Sequence, residues 1–166
     1  MTWLAIGSYL CFALASLILT VIDLRRRRLP DRVVIPSLAV TAVLFLGDTL
    51  LSGDWLRLLM AFGAALAVFA CYLLLALASP RGIGGGDVKL APLIGIMLGF
   101  VSWAAVLVGV FAGFLLGGAF GLLLILLGGA KRRTTLPFGP FMLLGAWIGI
   151  LWGDRIGAAL LGTGVS

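Results

Sequence analysis

The chain has 166 residues, 63% of them hydrophobic and 11% charged, with no histidine and a formal net charge of +6. This balance excludes a soluble globular domain of that length and makes a bilayer the expected solvent. Without histidine, Ser-His and Cys-His catalysis and the usual zinc sites are excluded too. All acids are aspartates, at positions 23, 31, 48, 54, 87 and 154, so a general acid or base is sought among these. A basic soluble protein would suggest nucleic acid. Here the basic residues gather in loops between apolar runs, as the positive-inside rule requires, and no nucleic-acid partner is expected.

In chain order the apolar runs predict an all-α bundle of six spanning helices, each needing about 20 mostly apolar residues. The first covers roughly Trp3 to Ile22, the second Val33 to Leu51 and the third Trp55 to Ala78. A short fourth covers Val88 to Phe100, the fifth Trp103 to Leu127 and the sixth Phe138 to Trp152. Pro36 falls near the start of the second, where proline is tolerated. At 1.5 Å per residue the fourth is only about 20 Å long, so it enters at an angle or ends inside the bundle. Cys11 and Cys71 sit in apolar runs without CxxC spacing and read as core packing. Ala13-Leu14-Ala15 resembles a signal cleavage site, but no positive charge precedes it. The first run is expected to stay as a membrane helix. No soluble segment interrupts the pattern, so residues 1–166 read as one transmembrane domain whose partners include membrane lipids.

Charge sets the orientation. One side carries Arg25 to Arg28, Arg32, Arg81, Lys89 and Lys131 to Arg133; the other carries Arg57 and Arg155. The basic side is expected to be cytoplasmic and the N-terminus outside. Asp23 and Asp87 then share the cytoplasmic side. Asp48, Asp54 and Asp154 fall opposite and read as solvated loop charges. Asp31, just after Pro30, reads as the cap of the second helix.

Glycines recur every four residues at 109, 113, 117 and 121, at 145, 149, 153 and 157, and at 95 and 99. That spacing puts small residues on one helix face and lets backbones approach closely. The expected use is packing of helices four, five and six within one chain.

Two aspartates break the apolar pattern inside short polar motifs. Asp23 ends the first run, where a negative charge opposes the helix dipole. Asp87 follows Gly84-Gly85-Gly86, whose missing Cβ atoms permit φ > 0 and close backbone approach. Ionisable residues at a membrane boundary are costly and mark function. Two carboxyls that meet suffice for acid-base hydrolysis with water as nucleophile. A phosphate loop is ruled out because no Gly-Lys-Ser/Thr opens the helix. The open alternative is a small proton- or cation-coupled transporter using Asp23 and Asp87, and behind it a purely structural subunit.

Three motifs follow one another: Ile22-Asp23-Leu24 with Leu29-Pro30-Asp31-Arg32, then Gly84-x-Gly86-Asp87-Val88-Lys89, then Leu136-Pro137-Phe138-Gly139-Pro140-Phe141. Together they resemble the type IV prepilin peptidases, a family of GxGD intramembrane aspartic proteases. The resemblance covers essentially the whole chain. It implies catalytic Asp23 and Asp87 and cleavage of prepilin or pseudopilin leaders at the cytoplasmic face of the bacterial inner membrane, without metal or organic cofactor. Gly84, Gly86, Lys89, Pro137, Phe138, Gly139 and Pro140 are the candidates for substrate or loop support. The Pro137 to Pro140 segment reads first as a rigid helix entry. Lys89 either steers Asp87 or anchors at headgroups. Larger members carry an N-terminal cysteine-bearing cytoplasmic region and also N-methylate their product. Neither Cys11 nor Cys71 lies in a cytoplasmic loop, so the peptidase-only form is the better match and N-methyltransferase activity is not expected.

Overall fold

The computed structural model describes residues 2–26, 29–78, 84–127 and 137–161. Six α-helices follow one another: α1 (Trp3–Arg26), α2 (Asp31–Ser52), α3 (Trp55–Ala78), α4 (Gly85–Gly99), α5 (Trp103–Leu126) and α6 (Gly139–Leu161). No strand occurs among the described residues. Five of the helices, all but α4, are long and apolar enough to cross a membrane. The chain is a multi-pass membrane protein of the all-α class.

The exception organises the others. α4 has fifteen residues and lies against α2, α3, α5 and α6. Leu90, Ala91 and every residue from Leu93 to Gly99 are buried. A helix that is apolar all round needs protein on every side, and α4 has it. The longer helices turn leucines such as Leu14, Leu59, Leu66 and Leu107 outward, as a lipid solvent permits.

Glycine decides which helices touch. A Cβ on Gly149 would lie 2.6 Å from the Ala105 carbonyl oxygen, and one on Gly145 would run into the Gly113 and Gly109 backbone. The α5–α6 contact is therefore backbone on backbone, as the four-residue ladders predict. Gly95 and Gly99 depart from that expectation. Their missing Cβ atoms face α3, 2.6 Å from Ala65 Cα and 2.8 Å from the Met60 carbonyl oxygen. The ladder in α4 serves α3, its neighbour in sequence.

Four local expectations are corrected. α2 begins at Asp31, so Pro36 is its sixth residue and costs one ladder bond inside the helix. α6 runs on to Leu161 because Asp154 and Arg155 are exposed on its surface, and charges that reach headgroups do not end a helix. Cys71 is exposed on the outer face of α3 rather than packed in the core. Asp48 is no loop charge. It lies inside α2, 2% exposed, and accepts the Thr2 N–H at 3.0 Å and the Thr2 hydroxyl.

Candidate active site

Asp87 is held by the start of α4. Gly84 is the N-cap residue, extended at φ −72° and ψ 146°, and Asp87 is the third helical residue. Its Oδ2 accepts the Gly84 N–H at 3.1 Å. This is the reaching-back half of a capping box, and it fixes the carboxylate rotamer. The helix turns that carboxylate inward, leaving Asp87 7% exposed.

Asp23 comes from the last turn of α1. It is 4% exposed, while Arg25 and Arg26 beyond it face outward. Its Oδ2 has no hydrogen-bond partner among the described residues. Gly139, the first residue of α6, closes against it: a Cβ there would sit 2.7 Å from Oδ2. The preceding segment builds that approach. The Phe138 carbonyl accepts the Phe141 and Met142 N–H groups at 3.0 and 3.1 Å. Pro140 is the second helical residue, where a missing N–H costs nothing.

The two carboxyls come from α1 and α4, and Leu29 links their surroundings. Leu29 packs between the glycines that adjoin them. A Cβ on Gly86 would lie 3.2 Å from Leu29 Cβ, and one on Gly139 would lie 3.5 Å from Leu29 Cδ1. Leu29 also lines a cleft of about 640 Å³, with Ile22, Arg25, Pro30 and Lys89 among others. Neither Asp23 nor Asp87 has a salt bridge among the described residues. Burying two carboxyls costs stability, so the arrangement is not one that folding alone selects. Chemically, such a pair holds one proton and offers one base. The remaining acids stay apart. Asp31 faces Lys89, Asp48 faces Thr2, Asp54 faces Arg57 and Asp154 faces Ser102.

Residues 10–122, which include both aspartates, match the model of the type IV leader peptidase family. The chain belongs to that family. It is 35% identical over 148 residues to the prepilin leader peptidase/N-methyltransferase of Aeromonas salmonicida, covering 87% of this chain and 49% of that protein. It is 30% identical to the Pseudomonas aeruginosa protein of the same name (93% and 52%) and 32% identical to the Bacillus subtilis one (84% and 53%). The chain thus spans about half the length of the curated relatives it matches. No solved structure matches it.

In this chain two motif residues make contacts beyond their sequence reading. Lys89 makes an ion pair that its sequence reading did not include. Its Nζ donates to both oxygens of Asp31, at 2.7 and 2.8 Å. Asp31 correspondingly makes no cap; Pro30 is the N-cap residue, without a side-chain bond. The pair ties the start of α2 to the start of α4, but it is half exposed and adds little stability. A partner 58 residues away leaves no signal in local spacing.

Gly86 is helical, and the positive φ expected of it is absent; among the described glycines only Gly53, ending α2, has one. Glycine is needed at 86 because Leu29 presses on it. Gly86→Ala asks Leu29 to yield by a few tenths of an ångström, whereas Gly86→Val adds two methyls to the same contact. The alanine variant is expected to keep most of its activity and the valine variant to lose at least about tenfold in rate. Leader-cleavage rates of the two purified variants check this.

The motif at the start of α6 also brings an aromatic contact that sequence reasoning did not anticipate. The Phe138 ring packs 5.5 Å from Phe114 and 6.4 Å from Tyr72. Tyr72 stacks on Phe114 at 5.2 Å.

Proposed function

We propose that this chain is an aspartic endopeptidase that removes the leader peptide of type IV prepilins or pseudopilins. Asp23 and Asp87 are its catalytic pair, working at the cytoplasmic face of the bacterial inner membrane. The observation that carries the reading is the burial of two carboxyls, from α1 and α4, around Leu29, with no salt bridge to either among the described residues. The family match supports the substrate class, and the basic residues at this end support the membrane face.

The chemistry follows from one shared proton. The ionised carboxylate takes a proton from water as the water oxygen attacks the scissile carbonyl carbon. The protonated carboxyl gives its proton to the carbonyl oxygen. The tetrahedral intermediate then collapses: the C–N bond breaks, the leaving amine takes up the proton that came from water, and one hydroxyl of the intermediate returns its proton to the pair, restoring the shared proton. Gly84 and Gly139 allow the backbone to close on the two acids, and Gly86 makes room for Leu29.

The test is incubation of the purified protein with a prepilin in detergent. A product shortened by the leader is expected. An intact prepilin, with Asp23 and Asp87 instead controlling cation flux into proteoliposomes, would favour the transporter reading.

A further inference from the structure

We propose that Tyr72 is a third catalytic residue, its phenolic hydroxyl donating a hydrogen bond to the carbonyl oxygen of the scissile peptide. The proposal rests on the peptidase reading above.

The packing of α3 on α4 places it. Gly99 meets Met60 and Ala61, and Gly95 meets Ala64 and Ala65. The helices therefore run antiparallel, and each step of four along one is a step of four back along the other. One further step sets Ala91 opposite Val68, both buried. The next sets Asp87 opposite Tyr72. Consistent with this register, the charge of Asp87 acts on the Tyr72 hydroxyl. Tyr72 is 1% exposed.

Its ring is fixed. It stacks on Phe114 at 5.2 Å with an interplanar angle of 14°, and Phe138 flanks it at 6.4 Å. Phe138 immediately precedes the glycine that abuts Asp23. One phenol is thereby held between the helix that delivers Asp87 and the entry to α6 that closes on Asp23. An aromatic side chain has few rotatable bonds, so a ring locked by two neighbours aims its hydroxyl with little residual freedom.

Two donors beside the site are committed. Lys89 gives its protons to Asp31, and the Gly84 N–H goes to Asp87. The Tyr72 hydroxyl has no hydrogen bond to any described residue. As water attacks, negative charge grows on the carbonyl oxygen, and a fixed neutral donor stabilises that charge more than it stabilises the substrate. The phenol transfers no proton; the two aspartates carry both.

Tyr72→Phe removes the hydroxyl and keeps the ring stack. Expected is a loss of roughly 10- to 100-fold in kcat, with KM unchanged within about twofold. The thermal midpoint in detergent and the pH dependence of kcat stay as in the wild type. Tyr72→Leu, which loses the ring as well, is expected to be less stable and at least as slow. Three results would overturn the proposal. Tyr72→Phe could retain full kcat while Tyr72→Leu loses activity, leaving only a packing role for the ring. Tyr72→Phe could displace the acid limb of the pH profile, so that the hydroxyl acts through Asp87. Wild-type protein could leave prepilin intact, and the proposal then falls with the peptidase reading. Asp87→Asn, assayed beside these, separates the cases, because it abolishes cleavage whatever Tyr72 does.

Discussion

Asp23→Asn and Asp87→Asn are each expected to lower the rate of leader cleavage by at least about a thousandfold, a barrier increase of about 4 kcal/mol. The amide is nearly the size of the carboxyl but neither takes nor gives a proton at this step. Because the pair works as one unit, the double variant is expected to be no slower than either single one. Folding survives both changes, since neither carboxyl has a salt bridge among the described residues to lose. Asp48→Asn is the control. Asp48 is just as buried, but it accepts bonds from Thr2 at the opposite end of the bundle, and an asparagine oxygen accepts them too. Its variant is expected to cleave at close to the wild-type rate. Initial rates on a purified prepilin, with helicity checked by circular dichroism, decide the matter. Should either catalytic variant keep more than about a tenth of the wild-type rate, the pair is wrongly assigned.

How much of this was legible in the sequence depends on the range of the interaction. Helix identity is local. A bilayer requires every backbone group to be satisfied within its own segment, so the apolar runs mark all six helices. Asp23 and Asp87 stood out because a lone charge in an apolar run is costly. Contacts between distant segments were another matter. Asp48 and Asp31 sit near helix ends, where a charge reads as solvated or capping, and only the fold supplies Thr2 and Lys89 as their partners. Gly86 looked like a backbone-freedom glycine because three glycines in a row suggest a loop. The pressure of Leu29 on it is tertiary. Tyr72 was hidden inside a long apolar run. The available signal was its distance from Asp87, which a tight helical hairpin folds onto the same level. Reading it required knowing that Gly95 and Gly99 face α3.

Gly145→Val is expected to be the most damaging substitution away from the aspartates. A Cβ on Gly145 would collide with the Gly113 backbone nitrogen and lie 2.5 Å from the Gly109 carbonyl oxygen and 2.7 Å from Gly113 Cα. These are main-chain atoms of α5, so no side-chain rotation relieves the clash. The two helices must separate instead. Ordinary overpacking costs about 1–3 kcal/mol. Here the separation also strips contact from Gly149 and Gly153, which press on Ala105 through the same interface. Apolar attraction to a partner helix is no stronger than to lipid, so close packing is what holds such a pair together. The α6 entry moves with it, and that entry carries Gly139 against Asp23. Gly145→Val is therefore expected to lose both detergent stability and cleavage, whereas Asp87→Asn loses cleavage alone. Gly118→Val is the matched control on α5, because nothing lies within 4 Å of a Cβ there. It is expected to be neutral in both measurements. The check is the thermal midpoint in one detergent together with the monodisperse fraction on gel filtration. A Gly145→Val protein as stable as Gly118→Val would mean that α5 and α6 do not meet backbone to backbone.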